Sequence, residues 1–328
     1  PWLIGTAPSD FAWSPDSQRV AFLWSEEGYE HRDLYVVDVA DPELEPVRVT
    51  RLEGPEIESE SDDLAMMAGA LDRAQRPSGA RDVLWHPDGE RLVFYWKGDL
   101  YRVSPGEQMR QLTTTAEPER SASFSPDGRW LAWLARGDVW VMPSEGGEAR
   151  RLTALAGDTA GVASYRWSPD SQRIALLEAD RSEVPIRTIP DYLTDEPTLV
   201  EVRRAYPGEP SPRYRLGVVD VGRAPVGVGA EDVHRVQTEA GETGNGGESE
   251  ASPAGDGTGV GRERQPVEEA DPSRAAAVRW LDLGLAPMEP IHGYRWSPEG
   301  DRLAVDASDL YAKDRRILVV DLEAPGEV

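Results

Sequence analysis

Five times along the chain an aromatic residue precedes a tight polar turn and then a run of apolar residues. The units are Trp13-Ser14-Pro15-Asp16-Ser17 before Arg19–Trp24, Trp85-His86-Pro87-Asp88-Gly89 before Arg91–Trp96, and Phe124-Ser125-Pro126-Asp127-Gly128 before Trp130–Trp133. Two more are Trp167-Ser168-Pro169-Asp170-Ser171 before Arg173–Leu177 and Trp296-Ser297-Pro298-Glu299-Gly300 before Arg302–Val305. Proline fixes φ at the second turn position, and Gly or Ser ends the turn. The β-branched, aromatic and small residues that follow predict a buried strand. A short turn such as Lys97-Gly98-Asp99 or Arg136-Gly137-Asp138 leads into a second strand at Leu34–Asp38, Leu100–Val103, Val139–Met142 or Ile317–Asp321. Arg48–Thr50, Arg110–Thr113 and Arg150–Thr153 read as last, short strands. The aromatic that closes each first strand is expected to pack between neighbouring sheets.

A four-stranded unit of about 40 residues, the spacing of the aromatics at 85, 124 and 167, has the size of a propeller blade. The chain is therefore expected to be all-β: a propeller of four-stranded blades over 1–328, with about six blades or part-blades and a ring completed by further sequence. The longer steps, from 13 to 85 and from 167 to 296, predict insertions at about 54–80 and 224–275. Within the first, Met66, Met67, Ala70 and Leu71 have helical spacing and predict a short helix over 62–75. The second is rich in Gly, Glu, Ser, Thr and Pro, almost without aromatics, and reads as a disordered loop.

Composition narrows the partners. Asp+Glu number 60 against 35 Lys+Arg, a formal charge of −25. That excludes general nucleic-acid binding, which needs a basic face, and disfavours anionic membranes. No run approaches the ~20 apolar residues of a membrane helix. With no cysteine, disulfides, thiolate metal sites and a cysteine nucleophile are excluded, and the compartment (cytoplasmic, periplasmic or secreted) stays open.

The candidate chemistry is sparse. His86 replaces a motif serine and is read as a surface turn residue; His234 falls in the second insertion; His31 and His292 stand just before strands. All four are read as structural. Of the adjacent acid pairs, Glu26-Glu27 is the best candidate for a cationic amine, because it lies in a loop between two strands of one blade. Residues 58–63 lack the alternating register of a calcium loop. Gly255–Gly261 follows no strand and lacks Gly-Lys-Ser/Thr, so it is a linker. No metal or cofactor is expected.

The repeat resembles both TolB-like propellers and the propeller domain of prolyl oligopeptidase-type serine peptidases. Residues 165–221 favour the second, and within it the dipeptidyl peptidase IV group. They include Ser182-Glu183-Val184-Pro185, Tyr192, Arg203–Pro212 with Tyr206-Pro207-Gly208-Glu209, and the strand Arg215–Asp220; Ala277–Gly284 and Tyr294–Pro298 continue the likeness. The resemblance implies an α/β-hydrolase domain after the propeller, carrying a Gly-x-Ser-x-Gly nucleophile elbow. No such pentapeptide occurs here, so the chain itself is expected to be non-catalytic. Its implied role is gating and selection of peptide substrate for the downstream hydrolase; the alternative is a non-enzymatic, protein-binding TolB-like module. The group's substrate-amine Glu-Glu pair should stand within 151–164, where Asp158 is the only acid, so a dipeptidyl specificity does not carry over. An exposed sheet edge at the end of the chain is expected to favour homo-oligomers.

Overall fold

A computed structural model describes residues 7–26, 31–41, 43, 45–52, 79–115, 118–191, 198–222, 277–286 and 288–323. Blade 1 comprises β1 (Ser9–Trp13), β2 (Arg19–Trp24), β3 (Asp33–Asp38) and β4 (Val47–Arg48). Blade 2 comprises β5 (Arg81–Trp85), β6 (Leu92–Trp96), β7 (Asp99–Val103) and β8 (Arg110–Gln111). Blade 3 comprises β9 (Arg120–Phe124), β10 (Trp130–Ala135), β11 (Asp138–Pro143) and β12 (Arg150–Arg151). In blade 4, β13 (Ala160–Trp167) and β14 (Arg173–Asp180) are followed by a separate hairpin, β15 (Ile186–Asp191) with β16 (Thr198–Arg203). The chain then returns for β17 (Arg213–Asp220) and β18 (Arg279–Trp280). Blade 5 contains β19 (Ile291–Trp296), β20 (Arg302–Ser308) and β21 (Arg315–Asp321). The expected all-β propeller architecture holds; of the six sheets among the described residues, five are blades and the sixth is the hairpin. The insertion near 224–275, the helix over 62–75 and His234 lie outside the described residues.

The continuous apolar runs have a direct cause. Side chains alternate across a strand, and each middle strand is covered on both faces. Leu92, Phe94 and Trp96 of β6 join Ala21, Leu23 and Leu34 of blade 1. Val93 and Tyr95, between them in sequence, join Leu131, Trp133 and Met142 of blade 3. The next residues of β10, Trp130, Ala132 and Leu134, face Ile174, Leu176 and Val219 of blade 4. Ala175 and Leu177 then meet Leu303, Val305 and Val320 of blade 5. Every core cluster is thus shared by two successive blades. The outer faces of the first and last blades are less covered: Phe11, Trp13, Ile317 and Val319 are exposed.

The Ser-Pro-Asp turn latches one blade to the next. Within blade 1, Ser14 Oγ donates to Asp16 (2.6 Å) and accepts the Arg19 amide (2.8 Å), while Asp16 also accepts the Gln18 amide (3.1 Å). Ser125 and Ser168 repeat this arrangement. The residue that ends each turn is left-handed, with φ between 59° at Ser17 and 78° at Gly300. Between blades, Arg19 donates to Gly89 O (2.6 Å) over the Trp85 ring, and Arg173 donates to Gly300 O (2.7 Å) over Trp296. From blade 3 to blade 4 the Asp127 amide donates to Ser171 Oγ (3.0 Å). His86 supplies the same link from blade 2 to blade 3: its Nε2 lies 2.7 Å from Gly128 O, and its ring meets the Phe124 ring edge-on. This corrects the expected surface position of His86, which is buried. The imidazole makes the contact to the turn-glycine carbonyl that arginine makes at two other junctions, and Phe124 stands where they have tryptophan.

The first strands lie side by side. Trp85 Nε1 donates to Ala12 O (2.9 Å) of β1, Trp167 Nε1 to Ser123 O of β9, and Trp296 Nε1 to Arg166 O of β13. The motif tryptophans therefore do pack between neighbouring sheets, except Trp13, which is 60 % exposed.

A second motif closes blades 1 and 3. Asp138, fully buried, accepts from Thr153 Oγ1 (2.7 Å), the Leu155 amide (2.7 Å) and Arg151 Nε (2.9 Å). Asp33, with Thr50, Leu52 and Arg48, does the same. Removing the buried carboxylate leaves the buried Thr153 hydroxyl and the half-buried Leu155 amide and Arg151 guanidinium without this partner. Asp138→Ala is expected to lower stability by roughly 3 kcal/mol or more, measured by urea unfolding of the chain. An unchanged midpoint would contradict this role.

Candidate functional site

Antiparallel strands send alternate connections to opposite ends of the blades. The four Ser-Pro-Asp/Glu turns and the His86-Pro87-Asp88 turn therefore fall at one end. The other end holds the starts of the first strands, the β2–β3, β6–β7 and β10–β11 turns, and the departure of the β15–β16 hairpin. Glu26 lies here, exposed just after β2; Glu27 lies outside the described residues. His31 Nε2 sits 3.0 Å from Leu52 O, and His292, which falls inside β19, sits 2.9 Å from Ser308 Oγ. Neither histidine is brought together with Glu26 in a hydrogen bond or ion pair among the described residues. Nor does any group of three His, Asp or Glu among them have the arrangement to hold a metal ion.

At the same end a cleft of about 290 Å³ opens between blades 3 and 4. Arg120 from the start of β9, Arg181 just after β14 and Arg203 at the end of β16 line it, together with Asp158 and residues 159–163. Gly137, in the β10–β11 turn, has φ +79° and accepts the Val162 amide at 2.7 Å. A Cβ on Gly161 would stand 3.1 Å from the Gly137 Cα. These two glycines let the backbones of adjacent blades meet, and they leave the cleft without a filling side chain. Arg203 is held by the carbonyls of Arg181, Ser182 and Val184 at 3.0–3.3 Å.

A larger cavity of about 550 Å³ lies between blades 4 and 5. There the chief charges are matched, Glu178 with Arg215, and Arg215 covers the Trp280 ring at 4.1 Å. At the base of the hairpin, Tyr206-Pro207-Gly208-Glu209 forms a turn with the Glu209 amide on Tyr206 O (3.0 Å). Glu209 is ion-paired with Arg187, whose guanidinium lies over the Tyr206 ring. The Tyr-Pro-Gly-Glu turn is therefore tied to strand β15 of the hairpin.

Residues 106–240, which include this turn, the hairpin and the three cleft arginines, match the family model described as the dipeptidyl peptidase IV (DPP IV) N-terminal region. Over these residues the chain is similar to the N-terminal propeller region of DPP IV-type peptidases. Its relatives include a Schizosaccharomyces pombe protein provisionally named a dipeptidyl aminopeptidase, 29% identical over 146 residues, which are 42% of this chain and 15% of that protein. The uncharacterized peptidase YuxL of Bacillus subtilis is 29% identical over 123 residues, 35% of this chain and 18% of its own length. Among solved structures, Porphyromonas gingivalis dipeptidyl peptidase 4 superimposes with a TM-score of 0.59 at 12% identity, covering 95% of this chain and 38% of that one. That likeness shows the fold. The chain thus spans less than a fifth of the two sequence relatives.

The stretch 151–164, where the resemblance puts a Glu pair, runs into one wall of the cleft, with Asp158 as its acid. The cleft arginines carried no local signal in the sequence. Arg120 precedes a motif strand by nothing more distinctive than any other arginine, and Arg181 and Arg203 flank a hairpin that the repeat pattern does not contain.

Next to Arg120, blade 2 departs from the Asp–Thr pattern. Thr113 Oγ1 donates to Glu119 Oε2 (2.6 Å) instead of to Asp99. Glu119 is buried, and its Oε1 has no hydrogen-bond partner among the described residues. Burial pushes its carboxyl up to about 7, against the Thr113 hydrogen bond and with help from Asp99. A carboxyl raised on folding binds more protons folded than unfolded between its two pKa values, so stability falls as pH rises from about 4.5 through 7. The accumulated loss above pH 7 is on the order of 3 kcal/mol. Glu119→Gln is expected to remove this slope, making the chain more stable than the parent at pH 8 but not at pH 4. Urea unfolding at both pH values checks it; parallel pH dependence in the two proteins would contradict it.

Proposed function

We propose that this propeller is the non-catalytic domain of a prolyl oligopeptidase-type serine peptidase and that it gates and selects peptide substrates for an α/β-hydrolase domain encoded after it. The observation that carries the reading is the match of residues 106–240 to the DPP IV N-terminal region, supported by a relative named as a peptidase. The chemistry of the chain agrees with it. There is no Gly-x-Ser-x-Gly segment, and each described histidine spends a ring nitrogen on a structural partner. The gating end on this reading is the one opposite the Ser-Pro-Asp turns, where turns of different length surround the starts of the first strands.

The end bearing the turns is poorly suited to selection. It is built from near-identical hydrogen-bonded loops whose side chains are committed to the latches between blades. Selection needs variable loops on a rigid scaffold, and these occur at the opposite end. A TolB-like binding module would share the blades but would need no hydrolase partner.

A fluorophosphonate probe, which labels activated serines, separates the two readings. The product of the uninterrupted reading frame is expected to be labelled, and the 328-residue chain alone is expected not to be. An unlabelled full product that is folded and of the chain's own size would overturn the peptidase reading in favour of the binding module.

A further inference from the structure

The charges of the cleft between blades 3 and 4 run against those of the molecule. The chain has 60 acids to 35 bases, and most of its well-placed arginines are paired: Arg48 with Asp33, Arg91 with Asp88, Arg151 with Asp138, Arg213 with Glu183. Arg120, Arg181 and Arg203 come from three separate elements to line one cleft. None of them forms an ion pair among the described residues, although Asp158 lines the same cleft. Grouping like charges is unfavourable until an anion enters between them.

We infer that this cleft binds a carboxylate of a peptide, either an acidic side chain or a free C-terminus. The inference rests on the reading that the propeller meets peptides, and it names the chemical class selected there. A guanidinium presents a planar fork of donors that matches a carboxylate two bonds at a time. Arg203 is fixed by three carbonyls on one nitrogen, which lowers the entropy lost when its remaining donors engage a ligand. Arg120 holds only a long contact of 3.4 Å to Val162 O. The glycine floor at Gly137 and Gly161 keeps the volume open. That volume, about 290 Å³, lies near the lower end of ligand pockets and holds a residue or two and not a folded partner. The cleft thus departs in sign from the amine-binding acid pair that the family resemblance places in residues 151–164.

The test uses the 328-residue chain and two peptides labelled with fluorescein at the N-terminus: Gly-Pro-Glu-Asp with a free C-terminus, and Gly-Pro-Gln-Asn as its amide. Fluorescence anisotropy is expected to show the acidic peptide binding at least about tenfold tighter, with the preference shrinking as NaCl is raised. Arg120→Gln and Arg181→Gln, both at exposed positions, should each weaken the acidic peptide several-fold and leave the neutral one unchanged, with far-UV circular dichroism confirming the fold. Inorganic phosphate should compete more weakly than the unlabelled acidic peptide. Equal binding of the two peptides, or variants with unaltered affinity, overturns the carboxylate assignment and leaves the peptidase reading standing. Stronger competition by phosphate reassigns the cleft to phosphate and overturns it likewise. Failure of the folded chain to bind the acidic peptide also overturns it, whereas the peptidase reading is decided separately by fluorophosphonate labelling.

Discussion

Each blade is joined to the next by a latch of a few atoms at one end of the sheet. At three of the four junctions between the described blades an arginine or histidine reaches the carbonyl of the turn glycine in the next blade, against that blade's aromatic ring, and at the junction of blades 3 and 4 the Asp127 amide donates to Ser171 Oγ instead. The rest of the architecture follows from this contact. It sets the spacing at which alternate side chains of a middle strand can fill the gaps on either side, which is why Leu92, Phe94 and Trp96 serve one interface and Val93 and Tyr95 the other. Stability in such an array is a sum over blades and over interfaces between neighbours. A change at one latch therefore weakens one interface and leaves distant ones intact.

This arrangement gives the molecule two unlike ends. The turn end is occupied by the latches and has few side chains to spare. The opposite end carries the turns that differ from blade to blade, the hairpin of blade 4, and the cleft with its three arginines. Glu119 shows that the division is not absolute: a buried carboxyl with a raised pKa supports the strand that presents Arg120. The Asp–Thr pattern of the neighbouring blades makes clear that Glu119 is a local variation on a structural motif.

The repeating part of the fold was legible because its physical causes are local. The turn needs proline, a carboxylate and a left-handed residue at fixed offsets, and the strands need apolar residues on both faces, so Trp85–Trp96 and Phe124–Trp133 announce themselves. The β15–β16 hairpin was not legible: its strands contain Pro190 and charged residues and rest on no core, leaving Leu199 and Ile186 exposed. His86 was misread because the pattern assigns its position to the turn, whereas its burial comes from Gly128 and Phe124 of the following blade. The similarity to the DPP IV N-terminal region was legible from Tyr206–Glu209 and the strand after it. The cleft was not, because Arg120, Arg181 and Arg203 meet only through the path of the hairpin, and no spacing along the chain records that meeting.

On the proposed reading, a peptide approaches the end of the propeller opposite the Ser-Pro-Asp turns. Photo-crosslinking tests it most directly, with a short peptide bearing a benzophenone incubated with the full-length product and the crosslinked positions mapped by mass spectrometry. Crosslinks are expected in residues 157–163 and around Arg181 and Arg203. Crosslinks concentrated in the turns at residues 14–17, 86–89 and 125–128 would contradict it.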